Sequence, residues 1–306
     1  MSAIRKATDS WCGNNKINKP NSSTLHTLGE LRMKRCAAGL FSVFTGFAML
    51  AMPVAQADQL ADVKANGSLT CGVLDIFEPF GYVDPASRAV VGYDVDVCSA
   101  VAKKLGVKAE IKPVSIEARI PELKQKHMDI LTAGLAYTPQ RAEQVDYSDA
   151  YYVSNNVIAT KADRGYEKAG DLDGKRISFV KGSISEAYIR AALPKATPVG
   201  FEDISSGFTA LLQNKAAGFS TSEEVLQKLV NRLGSDSAKY MVLKPVIGTE
   251  VWGMGIRKDE PGMLKAVNTA LAELESSGEM QTIFDKWLGN GTVYGMTRSF
   301  KVKPIN

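Results

Sequence analysis

Histidine is nearly absent: two residues in a chain of 306, His26 and His127. No Ser–His–Asp set, no His/Cys cluster with metal-ligand spacing and no phosphate-cradling P-loop can be assembled from what is present. Hydrolase, metal and nucleotide chemistry of those kinds is therefore not expected, and neither is a metal or any other cofactor. Long apolar runs are missing too. The one uncharged apolar stretch, residues 37–51, falls short of the ~20 residues a bilayer-spanning helix needs. An excess of charge is lacking once the ends are separated. The first 57 residues hold seven of the 37 Lys+Arg and two of the 33 Asp+Glu, which leaves 30 basic and 31 acidic residues. No basic footprint for nucleic acid remains.

The apolar stretch carries its own reading. Lys34 and Arg35 precede it and Ala55-Gln56-Ala57 follows it, the pattern of a cleaved secretory signal. Residues 1–57 are expected to be a leader, with the true start at Met33, and the exported chain to begin at Asp58 and reside in the periplasm. Of four cysteines, Cys12 and Cys36 leave with the leader. Cys71 and Cys98 remain, in a compartment that permits a disulfide. Spacing alone leaves the choice between a bridge and two buried thiols open.

From residue 58 onward, strand-like and helix-like patterns alternate. Residues 69–74, 109–114 and 130–133 read as strands, and 94–105 and 120–126 as helices. On the first helix Val97, Cys98, Val101 and Leu105 recur at helical spacing. This βαβαβ order implies a parallel sheet with helices on its faces. The pattern restarts with strands at 176–180, 198–201 and 217–220 and helices at 185–192, 207–214 and 223–233. An amphipathic helical segment, 261–287, breaks near 276–278.

Two strand-to-helix turns could hold an anion. In Thr138-Pro139-Gln140-Arg141, Thr138 suits a helix N-cap and Pro139 the first helical position. Arg141 then sits among free backbone N–H groups, able to grip a carboxylate with two parallel hydrogen bonds. A capped helix carrying a surface arginine would look the same. Lys181-Gly182-Ser183-Ile184-Ser185 is a second such turn. Phe77 and Phe80 follow the first strand, where open α/β sheets place ligands. Phe77 is expected to face the cleft and Phe80 the core. His127 lies in a polar turn and is expected to be solvated, while Asp94 and Asp96 begin a helix, where acids complement the dipole.

In order and spacing these segments resemble the polar amino-acid-binding proteins of ABC importers, the family 3 solute-binding proteins. The resemblance rests on Gly92-Tyr93-Asp94-Val95-Asp96, Arg119-Ile120-Pro121-Glu122-Leu123, Thr138-Pro139-Gln140-Arg141, Gly182-Ser183-Ile184-Ser185-Glu186 and Trp252-Gly253-Met254-Gly255. It implies a two-lobed type II periplasmic-binding-protein α/β fold, each lobe a mostly parallel sheet flanked by helices and joined by two hinge strands. Lobe 1 would comprise 58–153 plus 252–306, and lobe 2 154–251. It further implies a monomer that captures a small carboxylate ligand, an amino acid, by hinge closure and delivers it to an ABC permease, without catalysis. Arg141 matches the α-carboxylate clamp, Ser183 and Ser185 its lobe-2 partners, and Phe77 the ring that packs on the ligand. Arg119 matches the distal-carboxylate arginine of the glutamate/aspartate branch. Ile116, Gly134, Leu135, Ala136, Ile184, Ser222 and Glu223 complete the expected ligand-binding set. Three positions depart from the pattern. Ala136 replaces a hydroxyl and Ser222 an acid, both of which usually meet the ligand's amine, and Leu74 replaces an arginine. Either Glu223 substitutes or the ligand is an amine-free (di)carboxylate. A cyclohexadienyl dehydratase on the same scaffold would also suit two arginines, but would need an acid in the cleft.

Overall fold

The computed structural model describes residues 59–305. The leader, its cleavage site and Met33 lie outside the described residues. Along the chain, α1 (Gln59–Asn66) leads into β1 (Ser68–Val73). A small antiparallel sheet follows: β2 (Ile76–Phe77), β3 (Gly81–Val83) and β4 (Val90–Val91). Next come α2 (Tyr93–Leu105), β5 (Lys108–Pro113), α3 (Arg119–Lys124), β6 (Ile130–Leu131), α4 (Pro139–Ala142) and the long β7 (Asp146–Lys161). A second run comprises β8 (Arg176–Val180), α5 (Ser185–Ala192), β9 (Thr197–Phe201), α6 (Ile204–Leu212), β10 (Gly218–Ser222) and α7 (Glu223–Asn231). The 17-residue β11 (Tyr240–Ile256), α8 (Pro261–Ser276) and α9 (Glu279–Trp287) complete the strands and α-helices of the described residues.

These strands form one eight-stranded sheet, ordered β5-β1-β6-β11-β7-β10-β8-β9. Parallel pairs lie at both ends: β1 with β5 and β6, and β8 with β9 and β10. The two long strands, antiparallel to each other, run between them, with register shifts from Leu243 to Gly248 and from Trp252 to Gly255. The carboxyl ends of β1 and β6 on one side, and of β8 and β10 on the other, therefore face one another across β7 and β11. That is where open α/β sheets place ligands.

Local chemistry explains several element boundaries. On α2, Val97, Cys98 and Val101 are buried and Gly106 ends the helix. α6 starts at Ile204, three residues before the periodicity predicts, because Asp203 caps it by accepting the Ser206 N–H at 2.8 Å. β10 runs two residues beyond the expected 217–220 through its pairing with β7. The apolar stretch 261–287 divides between α8 and α9, as its pattern suggested.

Beneath β7 and β11 lies an aromatic cluster. Trp252, Tyr152, Phe80 and Tyr93 are fully buried, with ring centroids of Phe80 and Trp252 4.6 Å apart and those of Tyr152 and Trp252 4.9 Å apart. Phe80 thus packs in the core. Cys71 of β1 and Cys98 of α2 are joined as a disulfide, with Cα atoms 6.5 Å apart.

Two buried carboxyls tie helices to β7. Asp94, fully buried, accepts hydrogen bonds from the Tyr151 hydroxyl and the Gly134 N–H, both at 2.9 Å. It is thus more than a dipole-complementing acid, whereas Asp96 accepts from Lys286 and Trp287 of α9. Glu224, in the first turn of α7, accepts from the hydroxyls of Ser154 at 2.6 Å and Tyr152 at 3.0 Å. Burial pushes the Glu224 carboxyl up to about 7, against the pull of those hydroxyls. Its protonated form is favoured by folding. The stability it contributes is complete below the unfolded value near 4.5 and is lost as pH rises through about 7. Glu224→Gln is therefore expected to gain on the wild type between pH 4.5 and 8, by about 1–3 kcal/mol. Chemical denaturation of both proteins across that range checks this. A difference that stays constant with pH would contradict it.

Candidate functional site

The facing strand ends border a narrow cavity. From one side, Phe77, Ile116, Arg119, Gly134, Ala136 and Arg141 line it. From the other come Ser183, Ile184, Ser185 and Ser222. Ten of the twelve expected residues are thus brought together. The other two are not. Leu135 is buried behind the loop and lines a neighbouring groove with Glu117 and Gln144. Glu223 points away, its carboxylate accepting from Asn155 Nδ2 at 3.1 Å and Lys244 Nζ at 3.0 Å.

Arg141 is placed by the turn that its sequence suggests. Thr138 is the N-cap of α4 and accepts the Arg141 N–H at 3.1 Å, with Pro139 in the first turn. The guanidinium donates to the Ala136 carbonyl from Nη1 and to the Gly182 carbonyl from Nη2, both at 2.8 Å. Arg119 is 4% exposed and almost wholly engaged by backbone. Its Nε donates to Ile116 O at 2.9 Å, its Nη1 to Ala133 O at 2.7 Å and Gly134 O at 3.0 Å, and its Nη2 to Gly182 O at 3.1 Å. Burial and then the Arg141 charge pull the Arg119 guanidinium down to about 9. Two cations from one side thus converge on one carbonyl of the other.

Close packing holds this geometry. Phe77 lies against Gly134, where a Cβ would meet its ring at 2.8 Å, and its ring centroid is 5.8 Å from that of Trp252. Gly182 has φ +73°, and a Cβ there would stand 2.7 Å from the Glu117 Cα across the cleft. A side chain at 182 is strained and also wedges the two sides apart. Gly182→Ala is expected to weaken ligand binding at least tenfold and to lower stability by more than about 1 kcal/mol. Calorimetry and melting curves check both. Unchanged affinity would show that the two sides need not approach this closely.

Also lining the cavity are Leu74, which the sequence marked as the replacement of an arginine, and Val180, Ser220, Thr221 and Glu250, which sequence reasoning passed over. Four sit at or just beyond the carboxyl ends of β1, β8 and β10, so strand ends themselves were the available signal. Glu250 lies on β11 two residues before Trp252, hence on the same face of that strand. Among the described residues, neither guanidinium nor Glu250 takes part in an ion pair. His127 stands far from this chemistry in kind, exposed and paired with Glu122 at 2.8 Å.

A family model of bacterial extracellular solute-binding proteins, family 3, matches residues 69–290. The chain belongs to this family. Its curated relatives include the ABC transporter glutamine-binding protein GlnH of Bacillus subtilis (strain 168), 28% identical over 76% of this chain and 85% of the relative. The arginine-binding extracellular protein ArtP of the same organism is 31% identical over 72% and 85%. Among solved structures, an ancestral amino-acid-binding protein described as a precursor of cyclohexadienyl dehydratase superposes with a TM-score of 0.67 at 28% identity, covering 75% of this chain and 99% of that one. The two-lobed α/β fold of the family 3 proteins is thus the fold of this chain. Among the described residues no helix is long and apolar enough to cross a membrane.

Proposed function

We propose that this protein is the receptor of an ABC importer, capturing an acidic or polar amino acid in the cleft by hinge closure. One observation carries the reading: Arg119 and Arg141, side by side at the cavity, are held by backbone carbonyls, with the Tyr147 hydroxyl beside Arg141, and among the described residues neither forms an ion pair with an acid. Buried cations are usually paired, and a ligand carboxylate supplies the missing charge with two parallel hydrogen bonds. Arg141 is the α-carboxylate clamp and Arg119 meets a distal carboxylate. Ser183 and Ser185 reach the ligand from lobe 2, and Phe77 packs on its apolar part. The hinge is the pair β7 and β11, with lobe 1 at 58–153 plus 252–306 and lobe 2 at 154–251. The chain acts in the periplasm as a monomer after cleavage before Asp58, which N-terminal sequencing of exported protein checks, and hands its ligand to a membrane permease.

A thermal-shift screen of amino acids and dicarboxylates tests the reading. A specific ligand at 100 times its dissociation constant adds about 2.7 kcal/mol of stability. No shift with any amino acid would overturn it. An enzyme on this scaffold would instead turn over prephenate or arogenate; the receptor reading expects none.

A further inference from the structure

We infer that Glu250 is the seat of the ligand's ammonium group and the residue that makes the cleft select an amino acid over its amine-free analogue. The inference rests on the receptor reading above. It starts from the two positions that fail to provide an anion. Ser222 lines the cavity with a neutral hydroxyl, and Glu223 faces Asn155 and Lys244 outside it. An ammonium taken out of water without an anionic partner is costly. Among the residues lining the cavity, Glu250 is the one acid.

The surroundings of Glu250 fix its carboxylate and leave lone pairs on both oxygens unused. It is 5% exposed. Oε1 accepts from Asn156 Nδ2 at 2.7 Å and Oε2 from Trp252 Nε1 at 2.9 Å. Asn156 is itself locked, donating to Ser185 Oγ at 2.8 Å and accepting from Ser220 Oγ at 2.6 Å. Both donors to Glu250 are neutral and take one lone pair from each oxygen, and a carboxylate has about four such sites. No lysine or arginine pairs with it. The arrangement orients an acid without neutralising it, which is what a cationic ligand group requires. Burial raises the Glu250 carboxyl above its ordinary value, and the Asn156 and Trp252 donors and the two guanidinium groups offset that rise only in part.

The charges in the cavity then form a pattern: two guanidinium groups and one carboxylate. An acidic α-amino acid carries the complement, two carboxylates and one ammonium. An amine-free dicarboxylate leaves Glu250 unmatched. A basic amino acid brings a second cation to a cleft that already holds two.

The test uses L-glutamate and glutarate, which differ only by the amine, titrated calorimetrically into wild type and Glu250→Gln. Wild type is expected to bind L-glutamate at least tenfold more tightly than glutarate. Glu250→Gln, of the same size, is expected to lose roughly 10- to 100-fold toward L-glutamate and to hold glutarate as well as wild type or better. Retained glutarate binding also shows that the variant's cleft is intact. N-acetyl-L-glutamate on the wild type, where no variant is needed, is expected to bind at least tenfold more weakly than L-glutamate. Equal wild-type affinity for L-glutamate and glutarate, or unchanged L-glutamate affinity in Glu250→Gln, would overturn the ammonium seat while leaving the receptor reading standing. Failure of wild type to bind any amino acid would overturn both.

Discussion

Arg141→Ala is expected to weaken every carboxylate ligand by roughly 2–5 kcal/mol, because the cleft loses its most available cation. Arg141 spends one N–H on Ala136 and one on Gly182, so three of its five donors remain for a ligand. Arg119 is placed differently. Four of its five donors are already held by carbonyls of residues 116, 133, 134 and 182. Arg119→Ala should therefore do two things. It should destabilise the protein, since buried carbonyls lose their donors at about 1–3 kcal/mol for each group left unmet. It should also harm dicarboxylates far more than monocarboxylates, because the single free N–H reaches only the distal group. Calorimetry with L-glutamate and L-glutamine on both variants separates the roles. Equal losses for the two ligands in Arg119→Ala would remove its distal-carboxylate role, and an Arg141→Ala variant with wild-type affinity would remove the clamp.

Removing the disulfide has the second largest expected effect. Cys71 and Cys98 join the central strand of one parallel set to the helix that packs on it, 27 residues apart in sequence, and both are fully buried. The Cys71→Ala/Cys98→Ala double variant should lose about 2–4 kcal/mol, equivalent to a fall in Tm of roughly 5–15 °C for a domain of this size. Because α2 also carries Asp94, which holds the Gly134 N–H, binding should weaken as the melting point falls. A double variant that melts with the wild type would show that packing of α2 alone fixes the helix. Reducing agent should act slowly on the folded protein, since neither sulfur is open to attack.

Sequence legibility followed how local each signal was. Thr138, Pro139 and Arg141 form a turn whose cap, first helical residue and side chain all lie within four positions, so Arg141 could be placed before the fold was known. The two βαβ runs were legible for the same reason: periods of two and 3.6 switch over short windows. The long β7 and β11 were not visible as periodic segments. In β7 one face stays buried from Ser148 to Thr160, but that face carries Ser148, Ser154, Asn156 and Thr160. Tyr151, Val157 and Ala159 of the other face are buried too, so no apolar alternation shows in the sequence. β11 is broken by the register shift between Leu243 and Gly248. Glu250 was missed with them. In sequence it is one acid in a mainly apolar stretch, and only the pairing of β11 with β7 brings it beside Asn156 and into the cavity. Glu223 shows the converse. Adjacency to position 222 suggested a substitute anion, but one step at the junction of β10 and α7 turns the side chain toward Lys244.

The proposed receptor role requires the cleft to receive an amino acid through paired arginines. The measurement that tests it most directly is a calorimetric titration of the purified mature protein with L-glutamate and L-aspartate, repeated with Arg141→Ala. The account predicts saturable one-to-one binding by wild type to at least one of them, and loss of that binding by at least thirtyfold in the variant. Heats indistinguishable from dilution for every amino acid, or identical isotherms for wild type and variant, would contradict it.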